Sequence, residues 1–122
     1  MISKFTTAFE GLKFLFFQDK SFRLQFLLVT ICILTGFLLK ISITEWLIVL
    51  ACIALVISLE MVNSCLERMC DFIQADYHIE IKHIKDSSAA AVLVVSIFSL
   101  IAALIIFLPK ILTYVRPYLS SI

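Results

Sequence analysis

Glycine is nearly missing: Gly11 and Gly36 are the only two in 122 residues. A phosphate-binding loop of the P-loop or dinucleotide type needs several glycines close together, so both types are excluded. A nucleotide bound by this chain is held some other way. Charge is also scarce. Asp, Glu, Lys and Arg make up 16% of the residues, against about 25% in ordinary soluble domains. Ten basic residues against nine acidic ones leave a net charge of +1. That is not the strongly basic profile of a nucleic-acid binder, and no nucleic-acid partner is expected. The four cysteines, Cys32, Cys52, Cys65 and Cys70, form no CxxC pair, and three lie in apolar runs. They read as free thiols rather than as a disulfide frame or zinc site. No cleavable signal peptide is expected, because Glu10, Asp19 and other polar residues precede any long apolar run.

What the chain has in excess is apolar surface, at 62% of residues. A soluble fold this small cannot bury so much, and disorder needs the opposite composition. The expectation is a single-domain integral membrane protein over residues 1–122, all-α, because spans in lipid must satisfy their own backbone hydrogen bonds. Three stretches are long enough to cross a bilayer, which takes about 20 apolar residues. They cover about 22–40, 44–70 and 87–109. The first has no charge after Arg23, the second contains Glu60, and the third has none. Before them, Phe5, Ala8, Phe9, Leu12 and Phe16 form one helical stripe. This predicts an amphipathic helix over about 3–18, lying in the membrane interface.

Residues 18–21 are expected to turn into the first span, and Lys40 to Glu45 to form a very short link. A long polar link is expected over 68–86. Pro109 and Pro117 suit the end of the last span and a short tail. With the N-terminus in the cytoplasm, seven basic residues lie inside and three, Lys40, Lys110 and Arg116, outside. Basic residues favour the inside, so this is the expected orientation.

The informative segment ends the second span: Glu60-Met61-Val62-Asn63-Ser64-Cys65-Leu66-Glu67-Arg68-Met69-Cys70-Asp71. At about 100° per residue, Asn63, Ser64, Glu67 and Asp71 all fall within about 60° of Glu60. One face thus carries three carboxylates, an amide and a hydroxyl. An ionisable residue at membrane depth is by default a functional-site hypothesis. Stacked carboxylates repel one another, and Mg²⁺, which prefers carboxylate oxygens, relieves that repulsion. Glu60 is deepest and has the most apolar flanks, which suits a general base. The alternative is that this face only hydrogen-bonds between subunits, with Asp71 a plain solvated charge.

Lys85-Asp86 opens the third span on the same side. The pair is suited to phosphate and metal, or else Asp86 caps the helix and Lys85 snorkels to the interface. His78 and His83 lack metal-ligand spacing and read as surface or loop residues. Asp19, taken alone, is an acid at a helix N-terminus. From the residues themselves, an enzyme with a metal-suited site and a non-enzymatic membrane protein, holin-like or regulatory, both stand. The spacing favours the enzyme.

Those same residues resemble the bacterial diacylglycerol kinase and undecaprenol kinase family of small membrane lipid kinases. The likeness rests on Glu60-x-x-Asn63-Ser64-x-x-Glu67-x-x-x-Asp71, followed by Asp76-Tyr77-His78, Lys85-Asp86 and Ala89-Ala90-Ala91-Val92. Upstream, Ala8-Phe9-Glu10-Gly11-Leu12-Lys13 looks like the family's surface helix, and Asp19-Lys20-Ser21-Phe22-Arg23 like its entry to the first span. The resemblance implies ATP-dependent phosphorylation of a lipid hydroxyl, of undecaprenol or diacylglycerol, at the cytoplasmic face of the bacterial inner membrane. Glu60 matches the catalytic base and contacts the lipid, and Glu67 matches a metal ligand. Asp19 stands where the family usually has a Glu ligand, a shorter side chain. Asp19 and Glu67, with Asp76, Tyr77, His78, Lys85, Asp86 and Thr7, match ATP-binding positions, while Asn63, Ser64 and Asp71 shape the site. Gln25 replaces a lipid-binding position that is acidic in one branch and often His in the other. Cys65 replaces a small Ala. Mg²⁺ is the implied cofactor, and a homotrimer with shared sites the implied assembly.

Overall fold

The computed structural model describes residues 1–74 and 76–122. Among them the chain forms four helices: α1 (Ile2–Gln18), α2 (Lys20–Leu38), α3 (Ile43–Ile73) and α4 (Ile79–Leu119). The last three, of 19, 31 and 41 residues, are each long and apolar enough to cross a membrane. The described residues form an all-α structure with three helices that could span a membrane. At 1.5 Å per residue α4 is about 60 Å long, twice the hydrocarbon thickness of about 30 Å, so its ends reach beyond the lipid core.

The break between α1 and α2 is one residue rather than the four expected. Asp19 leaves the helical region, and its Oδ1 accepts from the Phe22 amide at 3.2 Å, capping α2. Arg23 reaches back and donates to the carbonyls of Phe16 and Phe17 at 3.1 and 3.0 Å. A cation on the last carbonyls of a helix is stabilising there. Phe22, fully buried, meets Phe26 edge-on, and Phe26 meets Phe16. The junction is therefore stitched by a cap, a cation and an aromatic cluster.

The α2–α3 link is as short as expected, and it is built from two caps. Ile41 N–H bonds to Gly36 O at 3.2 Å and Lys40 N–H to Phe37 O at 3.3 Å, the Schellman pattern. Lys40 takes the left-handed position with φ 52°, which costs a non-glycine residue about 1 kcal/mol. Ser42 and Glu45 then form a capping box that starts α3.

The long polar link expected over 68–86 is mostly helix. α3 continues to Ile73, and α4 starts at Ile79 with His78 as its cap, Nδ1 accepting from the Glu80 amide at 3.2 Å. Polar residues end a span but not a helix, and this stretch has no glycine or proline to break one. Asp86 is thus inside α4 and is not its cap, and His83 is an exposed helical residue rather than a loop one. Pro109 and Pro117 also lie inside α4 instead of ending it. All four cysteines are free, as expected.

The most extensive helix contact is between α3 and α4. Ile41, Val49, Ile106 and Phe107 form the buried apolar cluster, with Trp46 and Ala103 against it. This cluster sits at the α2–α3 turn, the end of the bundle away from Glu60. Most other large apolar side chains are exposed on the single chain, such as Phe98 at 69%. Gly36 is required by close approach: a Cβ there would lie 2.7 Å from Trp46 Cη2. Gly36→Ala is expected to destabilise the protein by about 1–3 kcal/mol through overpacking, read as a lower melting temperature in detergent.

Candidate active site

Among the described residues, Glu60, Asn63 and Ser64 are the buried polar ones, 7%, 8% and 3% exposed. They share one face of α3, as the 3.6-residue period requires. On the opposite side Val62 and Cys65 are exposed, fit to face lipid. Glu67 is half-buried one turn further along the same face, and Asn63 Nδ2 donates to its Oε1 at 3.5 Å. Asn63 Oδ1 is buried with no partner among the described residues.

The α1–α2 junction closes over this face. Ser64 Oγ donates to Asp19 Oδ2, while Asp19 Oδ1 holds the Phe22 amide. One carboxylate therefore caps α2 and docks it on α3. Glu60 lies one turn before Ser64 and Glu67 one turn beyond Asn63 on this face, so the contact with Ser64 brings Asp19 to the same face as two other carboxylates. Arg68 stacks over the Phe14 ring at 4.8 Å and holds α1 against α3.

A second group lies beyond Glu67. Lys85 Nζ donates to Asp71 Oδ1 at 2.8 Å, bridging α3 and α4. Both line a cleft of about 470 Å³ with Asp76, Tyr77, His78 and Asp86. Six residues singled out from the sequence thus face one cavity, with cationic, anionic and aromatic walls. Asp71 is not part of the buried group: its side chain is largely exposed and pairs with Lys85. Thr7 is exposed on α1, its hydroxyl on Ser3 O at 2.8 Å, about 18 Å along the helix from Asp19. Gln25 is half-buried on α2, about 9 Å past Asp19.

Two polar residues lining the cleft were not singled out beforehand. Lys82 lines the same cleft and pairs with Asp86, and Gln74 lines it from the end of α3. The i,i+4 spacing of Lys82 and Asp86 was a readable signal.

Among the described residues, no three His, Cys, Asp or Glu side chains come together as a metal cage. Mg²⁺ does not need one: it is commonly held by one or two carboxylates together with substrate phosphates. Oxygen donors on Asp19 and Glu67, beside the unpartnered Asn63 Oδ1, fit that partial kind of site.

The chain is also similar to known proteins over most of its length. Residues 6–107 match the family described as prokaryotic diacylglycerol kinase. The chain is 36% identical over 92 residues to the undecaprenol kinase of Bacillus subtilis, covering 75% of each protein. It is 33% identical over 90 residues to a diacylglycerol kinase of Helicobacter pylori, covering 73% of this chain and 70% of that one. The corresponding protein of Helicobacter pylori strain J99 is 32% identical over 90 residues, with the same coverage. The matched stretch contains Asp19, the whole polar face of α3 and the Lys85–Asp86 pair, which removes the non-enzymatic reading: this chain belongs to the prokaryotic diacylglycerol kinase family of lipid kinases.

Proposed function

We propose that this enzyme transfers the γ-phosphoryl group of ATP to the hydroxyl of a membrane lipid alcohol, undecaprenol or diacylglycerol. The observation that carries the reading is the buried face of Glu60, Asn63 and Ser64 on α3. A membrane helix does not keep a carboxylate, an amide and a hydroxyl out of water without a use for them.

In this reading Glu60 is the general base. It is the deepest carboxylate, nearest the apolar region where a lipid hydroxyl arrives. The hydroxyl oxygen forms a bond to the γ-phosphorus, the bond from that phosphorus to the β,γ-bridging oxygen breaks, and the proton passes to a Glu60 oxygen. ADP leaves with the displaced oxygen. Asn63 holds Glu67 in place through its amide. Ser64 holds Asp19. Asp19 and Glu67 are the residues that would hold Mg²⁺, which supplies charge neutralisation at the phosphates. Asp76, Tyr77, His78, Lys85 and Asp86 receive the nucleotide in their shared cleft, with Asp71 setting the position of Lys85. Phosphoryl transfer is mostly positioning and charge neutralisation, so a glycine loop is not required. Thr7 is assigned a nucleotide contact from α1, and Gln25 a contact with the lipid.

The same reading places α1 in the membrane interface. Its exposed Phe5 and Phe9 lie on the predicted apolar stripe. The N-terminus and the carboxylates then face the cytoplasm of a bacterial inner membrane, where ATP is. Three copies assemble with sites shared between neighbours, since three spans alone leave Glu67 half-exposed and most apolar surface uncovered.

The test is a transfer assay in mixed micelles, with Mg²⁺, labelled ATP, and undecaprenol and diacylglycerol offered side by side. Label is expected in one lipid, or in both. Folded protein that labels neither overturns the proposal. Glu60→Gln is expected to lower turnover by about 10²–10⁴-fold, the range for a lost general base, with the melting temperature preserved. A folded Glu60→Gln enzyme at full activity contradicts the base assignment. Glu67→Gln is expected to raise the Mg²⁺ concentration needed for half-maximal rate, and an unchanged Mg²⁺ titration contradicts its role.

A further inference from the structure

The end of the bundle opposite the carboxylates carries a second polar constellation that phosphoryl transfer does not use. A cleft of about 560 Å³ opens between the end of α2 and the last turns of α4. Its polar walls are Lys40, Lys110, Thr113 and Tyr114, and its apolar wall includes Leu38 and Leu39. Lys110, Thr113 and Tyr114 lie beyond the stretch matched to the family, which ends at residue 107.

Two independent observations point to an anion. The first is charge. Three cations at this end, Lys40, Lys110 and Arg116, stand against one side-chain carboxylate, Glu45. Lys110 engages Glu45 at 3.3 Å, and the Lys40 ammonium has no ion-pair partner among the described residues. The second is backbone. Lys40 occupies the left-handed C′ position of a Schellman motif, with φ 52°. Glycine is the usual residue there because any Cβ is disfavoured. A lysine kept at an unfavourable backbone position, beside a cleft, points from the outlier to a use for its side chain.

The surroundings identify the kind of anion. Trp46 packs on Phe37 with centroids 4.9 Å apart, and Tyr114 lies near Tyr118 at 6.4 Å. Aromatic side chains of this sort gather at the membrane–water interface. Leu38 and Tyr114 are largely exposed, so the cleft opens beside surface that lipid covers.

We propose that this cleft binds the phosphate of an anionic lipid headgroup in the leaflet opposite the active site. Lys40 and Lys110 supply the charge and the Tyr114 hydroxyl a donor. Leu38 and Leu39 lie against the first part of an acyl chain. The proposal rests on the membrane character of the chain and not on its reaction.

The test uses the full chain in neutral detergent, stripped of lipid. Phosphatidylglycerol, phosphatidylcholine and inorganic phosphate are added separately, and native mass spectrometry counts what stays bound. The wild type is expected to retain phosphatidylglycerol over phosphatidylcholine and to gain in melting temperature. Lys40→Gly is the key variant: glycine suits the backbone, so its melting temperature without lipid stays at or above the wild-type value. Its affinity for phosphatidylglycerol is expected to fall about fivefold. Lys40→Gln is expected to lose the same affinity, and Lys40→Arg to keep it. Wild-type retention of phosphatidylglycerol by both Lys40→Gly and Lys40→Gln overturns the proposal. So does a melting gain produced equally by inorganic phosphate, which would make the occupant a free anion rather than a lipid.

Discussion

The structure depends on one constraint: polar side chains on a membrane helix must be covered and paired. A charged group at the bilayer centre costs about 3 kcal/mol on insertion scales. Among the described residues Glu60, Asn63 and Ser64 are nonetheless the buried polar ones, while the leucines and phenylalanines are mostly exposed. The buried positions are divided: an apolar cluster of Ile41, Val49, Ile106 and Phe107 at one end, and these polar groups further along α3. Asp19 makes this possible at the site. With one oxygen it caps α2, and with the other it accepts from Ser64 on α3.

From this contact the rest of the site follows. Docking α2 on α3 fixes where α1 leaves, and Arg23 and Arg68 hold α1 there. The carboxylate face then sits beneath the junction of three helices. Further out, the continuation of α3 and α4 as helices beyond their apolar stretches brings Asp71 within 2.8 Å of Lys85. A flexible link would not hold that pair at one separation. In the proposed reaction, the depth of the lipid hydroxyl and the level of the nucleotide would both be set along this one helix, about 16 Å from Glu60 to Asp71.

The helical spans and the polar face were legible in the sequence because both are periodic. Runs of apolar residues announce membrane helices, and Glu60, Asn63, Ser64 and Glu67 share a face by spacing alone. The partnership of Asp19 with Ser64 was not legible: it joins residues 45 apart and depends on where the chain turns. Hydropathy marked where lipid ends, and the helices go further. Residues 68–73 and 79–86 carry charges among apolar residues, yet nothing in them stops a helix, and so the expected link became the walls of a cleft. Pro109 was read as a stop, whereas a long helix held on α3 continues past one missing N–H. Lys40 gave no sign of its backbone conformation, which is set by the sharp turn between two packed helices.

Asp19 and the α3 face are proposed to act as one unit in phosphoryl transfer. A double-mutant cycle on phosphoryl-transfer rate tests it, using Asp19→Asn, Ser64→Ala and the double variant. If the two residues work through their shared contact, the double variant is slowed no more than the slower single variant, well short of the product of the two losses. Losses that multiply in full, as for independent sites, would contradict the claim and separate the α2 entry from the catalytic face.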